Sequence, residues 1–190
     1  MSLQIKFSLL FFITVLSLFS QTTDRVLKYP EEWKFERIDF PLDYAKDITW
    51  KGFEELRFSP GMFDNSSEDY FKYYFCVSIE DDKSINKEEI TNFLNSYYKG
   101  LCKAVNAKKK YVIDYNKIRA SVKSLSDSSY QASVIFFDSF TNGDQVVLEM
   151  SLEIQKRSNT TIILATVIAN EESDKLKILH QNNLSNNLPD

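Results

Sequence analysis

Between residues 87 and 106 the apolar residues recur at helical spacing, and from 117 to 169 they alternate with polar ones at a period of two. This switch constrains the fold more than any single motif, because a face that is continuous at one period is scrambled at the other. In the first stretch Ile90, Phe93, Leu94, Tyr97, Leu101, Ala104 and Val105 form one stripe, with Glu88, Asn92, Asn95, Lys99 and Lys103 opposite. Asn86 followed by Glu89 predicts a capping box at its start, and Asn106 before three lysines predicts a left-handed stop. Gly100 lies on the flank of the stripe, where a missing side chain lets a neighbouring backbone approach.

The second stretch predicts strands at 117–125, 129–139, 145–156 and 161–169, separated by turns at Ser126–Ser129, Asn142-Gly143 and Ser158-Asn159. Two-residue loops at the last two turns pair Phe137 with Leu148, Ile135 with Met150 and Ser133 with Leu152, and set Met150, Leu152 and Ile154 against Val167, Ala165 and Ile163. One face is then apolar, joined by Ile118, Ala120 and Val122. The other mixes Arg119, Lys123, Tyr130, Phe136, Glu149, Ser151, Glu153 and Thr166 with Ile162, Leu164 and Ile168. Upstream, Ile38 to Ala45 alternates around Pro41 as an edge segment, and 50–58 and 70–79 read as two further strands, the latter turning Phe71, Tyr73, Phe75, Val77 and Ile79 to one side. The expected domain spans 33–170: a two-layer α+β fold, an antiparallel sheet made of a C-terminal four-stranded meander plus two or three N-terminal strands, with one long helix on its apolar face.

Residues 1–20 carry Lys6 before an apolar run from Phe7 to Phe19, the pattern of a secretory leader cleaved after Ser20. The run is too short to span a bilayer, so no membrane insertion is expected after cleavage, and the location follows as secreted or periplasmic. Residues 21–32 have no periodicity and read as a flexible start, and 171–190, ending in NNLSNNLPD, as a disordered tail. The formal net charge is −4, one more negative without Lys6, which argues against a nucleic-acid partner. Cys76 and Cys102 are the two cysteines. The strand pattern puts Cys76 on the polar side and the helix puts Cys102 beside its buried stripe, so a bridge would have to cross the sheet.

His180 is the one histidine, and it falls in the expected tail. A nucleophile–imidazole relay or a histidine metal site therefore has no support, and no phosphate loop, dinucleotide fingerprint or CxxC occurs. No cofactor or metal is implied. Glu80-Asp81-Asp82 is the densest acidic run, but it lacks calcium-loop spacing and precedes a helix, where acids favour the helix dipole. Carboxylates remain: Glu149, Glu153 and Asp138 are the acid–base alternatives for a hydrolase on the second face, although the two glutamates lie about 13 Å apart by strand rise. Arg119 and Lys123 on neighbouring strands are expected to pair with them as a solvated ladder. Sequons begin at Asn65, Asn159 and Asn183.

The stretch LRFSPGMFD, 56–64, puts Met62 and Phe63 after a Ser59-Pro60-Gly61-Met62 turn, expected to be type II with Gly61 at positive φ. The two apolar side chains either fold back over the core or stand exposed as a contact loop, with Arg57 beside them as an anchor or paired with Glu54 or Glu55. Taken together, the residues favour an exported, non-catalytic binding or interaction module whose partner is a protein or a small apolar ligand, contacted by Arg57, Met62 and Phe63. The alternatives are the carboxylate hydrolase and an apolar-ligand carrier with a cavity between helix and sheet.

Overall fold

The computed structural model describes residues 25–80, 84–169 and 173–188. The expected leader at 1–20 and Asp81 and Asp82 of the acidic run lie outside the described residues. Seven strands form one antiparallel sheet in the order β1-β2-β3-β7-β6-β5-β4. These are β1 (Lys34–Asp39), β2 (Gly52–Phe58), β3 (Tyr73–Ile79), β4 (Arg119–Ser124), β5 (Ser129–Phe137), β6 (Gln145–Arg157) and β7 (Thr160–Ala169). Two meanders, β1–β3 and β4–β7, thus join where β3 pairs with β7, Phe75 opposite Ala165 and Val77 opposite Ile163.

Helix α1 (Lys87–Lys109) lies across one face. Its capping box is present as expected: the Asn86 side chain accepts from the amides of Glu88 and Glu89, and Glu89 reaches back to the Asn86 amide. Such a box is worth about 1 kcal/mol. Ile90, Phe93, Leu94, Tyr97, Tyr98 and Cys102 are buried against Phe75, Val77, Leu148, Met150 and Leu152 of the sheet. The left-handed stop falls on Lys110 rather than Asn106. Asn106 is instead buried, its amide and carbonyl holding the backbone of Tyr111.

The β6–β7 register is the expected one, Ile154 facing Ile163 and Met150 facing Val167 around the Ser158-Asn159 turn. The β5–β6 register is not. Val134 pairs with Leu148 and Ala132 with Met150, so Tyr130 and Phe136 face the core and Ser133 and Ile135 turn away. The cause is Asp138. Its Oδ1 accepts from the amides of Phe140 and Thr141 at 3.0 Å, its Oδ2 from the Tyr70 and Thr141 hydroxyls, and its own backbone bonds Asp144 and Gly143. The connection therefore runs from 138 to 144, and Asn142-Gly143 is only its last part. An odd number of residues shifts the register, which inverts the faces of β5.

The alternation from Ile38 to Ala45 is strand only up to Asp39. Beyond it, successive turns from Leu42 to Ala45 and Ala45 to Ile48 carry those three side chains into the core.

The expected helix-on-sheet pair is present, and part of the second face is covered as well. The tail expected to be disordered contains helix α2 (Ser173–Asn187), which lies on β6 and β7. Leu176, Asn183 and Asn187 are buried, with the Asn183 amide on the Ala165 carbonyl and the Thr166 hydroxyl. A glycan on Asn183 is incompatible with that position. Part of the start expected to be flexible, from Val26 to Trp33, forms a strap beside α2. Glu55 accepts from the amides of Val26 and Leu27, both at 2.8 Å, and Asn187 accepts from Lys28 and Tyr29 and donates to the Tyr29 carbonyl. Arg57, only 4% exposed, donates to four carbonyls, of Leu27, Lys28, Glu31 and Trp33. It belongs to this strap and pairs with neither Glu54 nor Glu55. Cys76 lies under the same layer with Leu27, Ile162 and Leu164, while Cys102 sits on α1 in the core on the other side, so the sheet separates two free thiols. Among the described residues no helix is long and apolar enough to cross a membrane.

Four backbone carbonyls share one buried guanidinium, so Arg57→Ala should destabilise the protein by about 2–3 kcal/mol in urea unfolding. It should also speed hydrogen exchange at the Leu27 and Tyr29 amides. Unchanged exchange there would show that the strap holds without Arg57.

Candidate functional site

The loop between β2 and β3 turns at Ser59, whose carbonyl accepts from the Met62 amide at 3.1 Å. Gly61 does not take the positive φ expected of a type II turn. Glycine is needed there for room, since a Cβ would sit 2.1 Å from the Ser67 hydroxyl. Phe71 takes the left-handed conformation instead (φ 47°), which drives its ring into the core against Phe136. Met62 folds back and is buried, whereas Phe63 stays 44% exposed, its ring 5.0 Å from Phe140 and 6.3 Å from Phe58.

These side chains border a cleft of about 240 Å³ between α1 and the β1–β2 end of the sheet. Leu56, Phe58 and Tyr73 make its floor, and Tyr97, Tyr98 and Leu101 of α1 its roof. Met62, Phe63, Phe71 and Phe140 close one side, and Tyr44, Ile38, Glu36 and Lys34 the other. Apolar lining with a few polar groups is the usual character of a small-molecule site. Of the three contact residues expected from sequence, Met62 and Phe63 meet at this cleft and Arg57 does not, because its side chain points to the opposite face of β2.

Behind the cleft wall stands a residue the sequence reading passed over. Glu54, on β2 between Ile38 and Val77, faces α1 and is fully buried. Its Oε1 accepts from the Tyr44 hydroxyl at 2.9 Å and the Tyr97 hydroxyl at 3.4 Å, while its Oε2 is buried without a partner. Burial pushes its carboxyl up to about 7; the two tyrosine hydrogen bonds oppose the rise and the Glu36 charge adds to it. Gly100 makes this arrangement possible. A Cβ there would lie 2.0 Å from the Tyr44 carbonyl, so the bare α1 backbone lets the 42–45 segment come close and seat Tyr44 over Tyr97, ring to ring at 5.5 Å. Had strand alternation been carried through, Leu56 and Phe58 inside would have required Glu54 inside as well.

The acid–base alternatives are dispersed. Asp138 is consumed by its loop. Glu149 and Glu153 lie on the α2 face as expected, but with serines as partners in place of Arg119 and Lys123: Ser133 donates to Glu149 at 3.0 Å, and Ser128 and Ser129 donate to Glu153 at 2.6 and 2.5 Å. The shifted β5 register accounts for the change. Grooves flank α2 beside both glutamates, lined in part by Lys123 and Gln131 on one side and by Lys177 and His180 on the other. His180 is thus held by the fold, contrary to the expectation of a free tail, and burial pushes its imidazole down to about 4. Its Nδ1 meets the Thr166 hydroxyl at 3.0 Å, but Thr166 is fully buried and also held by Asn183. A nucleophile in that position has no path to a substrate. Among the described residues no three His, Cys, Asp or Glu side chains gather as a metal site.

No family model and no curated protein sequence matches the chain. Among solved structures there is a weak similarity to LpqN, a protein involved in cell envelope biogenesis of Mycobacterium tuberculosis, with 9% identity over 82% of each chain and a TM-score of 0.28. A superposition so loose carries no assignment, so function rests on the cleft.

Glu54 binds its proton more tightly folded than unfolded, so its contribution to stability is full below pH 4.5 and declines as pH rises to about 7. The decline amounts to about 3 kcal/mol. His180 acts in the opposite sense, its neutral folded form gaining stability as pH rises from about 4 to 6.5. In urea titrations the stability of Glu54→Gln relative to wild type should therefore grow across the Glu54 window; a constant difference would contradict the buried-acid assignment. Gly100→Ala should cost about 1–3 kcal/mol through overpacking against Tyr44, read by the same titration, and a neutral effect would contradict the close approach.

Proposed function

We propose that the chain is an exported binding module that takes a small apolar group into the cleft between α1 and the β1–β2 edge. The observation that carries the reading is the cleft itself: about 240 Å³ left open beside a densely packed aromatic core, with Phe63 exposed at its mouth. Exposed aromatics at the rim of a concave apolar site are the groups that gain most when a ligand covers them. The leader pattern at 1–20 supports export. The reading joins two ideas the sequence leaves separate, the contact loop of Met62 and Phe63 and the cavity between helix and sheet, since one concavity accommodates both.

N-phenyl-1-naphthylamine, a neutral dye that brightens in apolar surroundings, serves as probe. Wild type should enhance its fluorescence saturably. Leu101→Trp, which fills the cleft from α1 at a half-buried position, should weaken binding about tenfold or more, the effect of losing about 1.4 kcal/mol of contact. Equal binding by both proteins would place the dye elsewhere and overturn the reading.

A further inference from the structure

Behind the tyrosines of the cleft stands an acid without the usual counter-charge. Glu54 and Glu55 are neighbours in sequence and point to opposite faces of β2. Glu55 has a guanidinium, Arg37, at 3.2 Å and two backbone amides on its other oxygen. Glu54 has two tyrosine hydroxyls on one oxygen and nothing on the other. The ionisable groups that face it are Glu36 from β1, Tyr73 from β3, Tyr97 and Tyr98 from α1, and Tyr44 from the segment after β1, with Lys34 beyond Glu36 at the cleft rim. None of those packed around it supplies a positive charge, apart from that rim lysine. A buried carboxylate is strongly unfavourable when unpaired, and the two tyrosines that hold this one, Tyr44 and Tyr97, both line the cleft.

The tyrosines fix the character of that space. Tyr44 and Tyr97 both donate their hydroxyl protons to Glu54, which leaves their oxygen lone pairs for anything else they meet. Tyr73 and Tyr98 are tied to each other, hydroxyl to hydroxyl at 2.5 Å. All four rings line the cleft. Such walls offer acceptors and π faces, and they suit a cation whose charge is spread over methyl groups and needs no acceptor of its own.

Building on the apolar cleft above, we infer that the preferred ligand carries a quaternary ammonium head, held by the tyrosine ring faces with Glu54 behind them as counter-charge. Glu54 is protonated at neutral pH for an appreciable part of the population when the cleft is free. Binding a permanent cation favours the carboxylate, so the carboxyl O–H bond breaks and one proton leaves to solvent. Affinity therefore rises with pH through the Glu54 midpoint.

Choline and its neutral isostere 3,3-dimethyl-1-butanol test this by NMR titration, on wild type and Glu54→Gln, at about pH 6 and about pH 8. At the higher pH wild type should prefer choline about tenfold or more, and the preference should shrink severalfold at the lower pH. Glu54→Gln, its fold checked by its amide spectrum, should show neither the preference for choline nor its pH dependence. Equal affinity for the two probes, a preference that survives Glu54→Gln, or one that ignores pH would overturn the cation inference while leaving the apolar cleft standing. Failure of both probes to shift any cleft resonance would overturn the inference together with the reading it rests on.

Discussion

The pairing of β3 with β7 is the contact on which the rest of the molecule depends. It splices two meanders into one sheet, with Phe75 and Val77 continuing the apolar face of Leu148, Met150 and Leu152. Only a face of that width can bury the stripe of α1 along its length. At the β4–β7 end α1 packs over Val122, Val134, Leu148 and Met150, with Tyr130 and Phe136 among them. Toward β1 and β2 the core-facing residues are Glu54, Leu56, Phe58, Tyr73 and Phe75. The cleft lies at that edge among rings, which fill space less completely there.

Glu54 gives that edge its chemistry. A strand cannot choose sides for individual residues, so placing Leu56 and Phe58 in the core places Glu54 there as well. The fold accommodates the acid by bringing Tyr44 onto α1 across Gly100, and by letting the carboxyl keep its proton up to near neutrality. On the opposite face, Glu55 and Arg57 do ordinary structural work, holding the N-terminal strap through backbone hydrogen bonds. One short strand thus separates a structural polar layer from a candidate ligand site.

Much of this was legible in the residues themselves. The start of α1 could be read because Asn86 and Glu89 make a local device that tertiary context does not alter, and the β6–β7 register because the Ser158-Asn159 turn has the length its residues suggest. The β5 register was missed because Asp138, a side chain, sets the length of its loop. Helix α2 was missed because its buried positions are filled by Asn183 and Asn187, residues that read as solvent-loving until their partners on β7 and the strap are known. Arg57 was misplaced for a related reason: its four carbonyl partners lie in a segment with no periodicity to announce it. Met62 and Phe63 stand out in the sequence as apolar residues in a loop, and they border the cleft, but the acid behind it needs the strand's facing to be followed one residue at a time.

Glu54 is a buried acid behind the tyrosine wall of an aromatic cleft. A ¹³C titration of its side-chain carboxyl by NMR tests it most directly. A midpoint of about 7, moving down when choline is added, is the result that follows from the account. A midpoint at the ordinary 4.5, insensitive to choline, would contradict it.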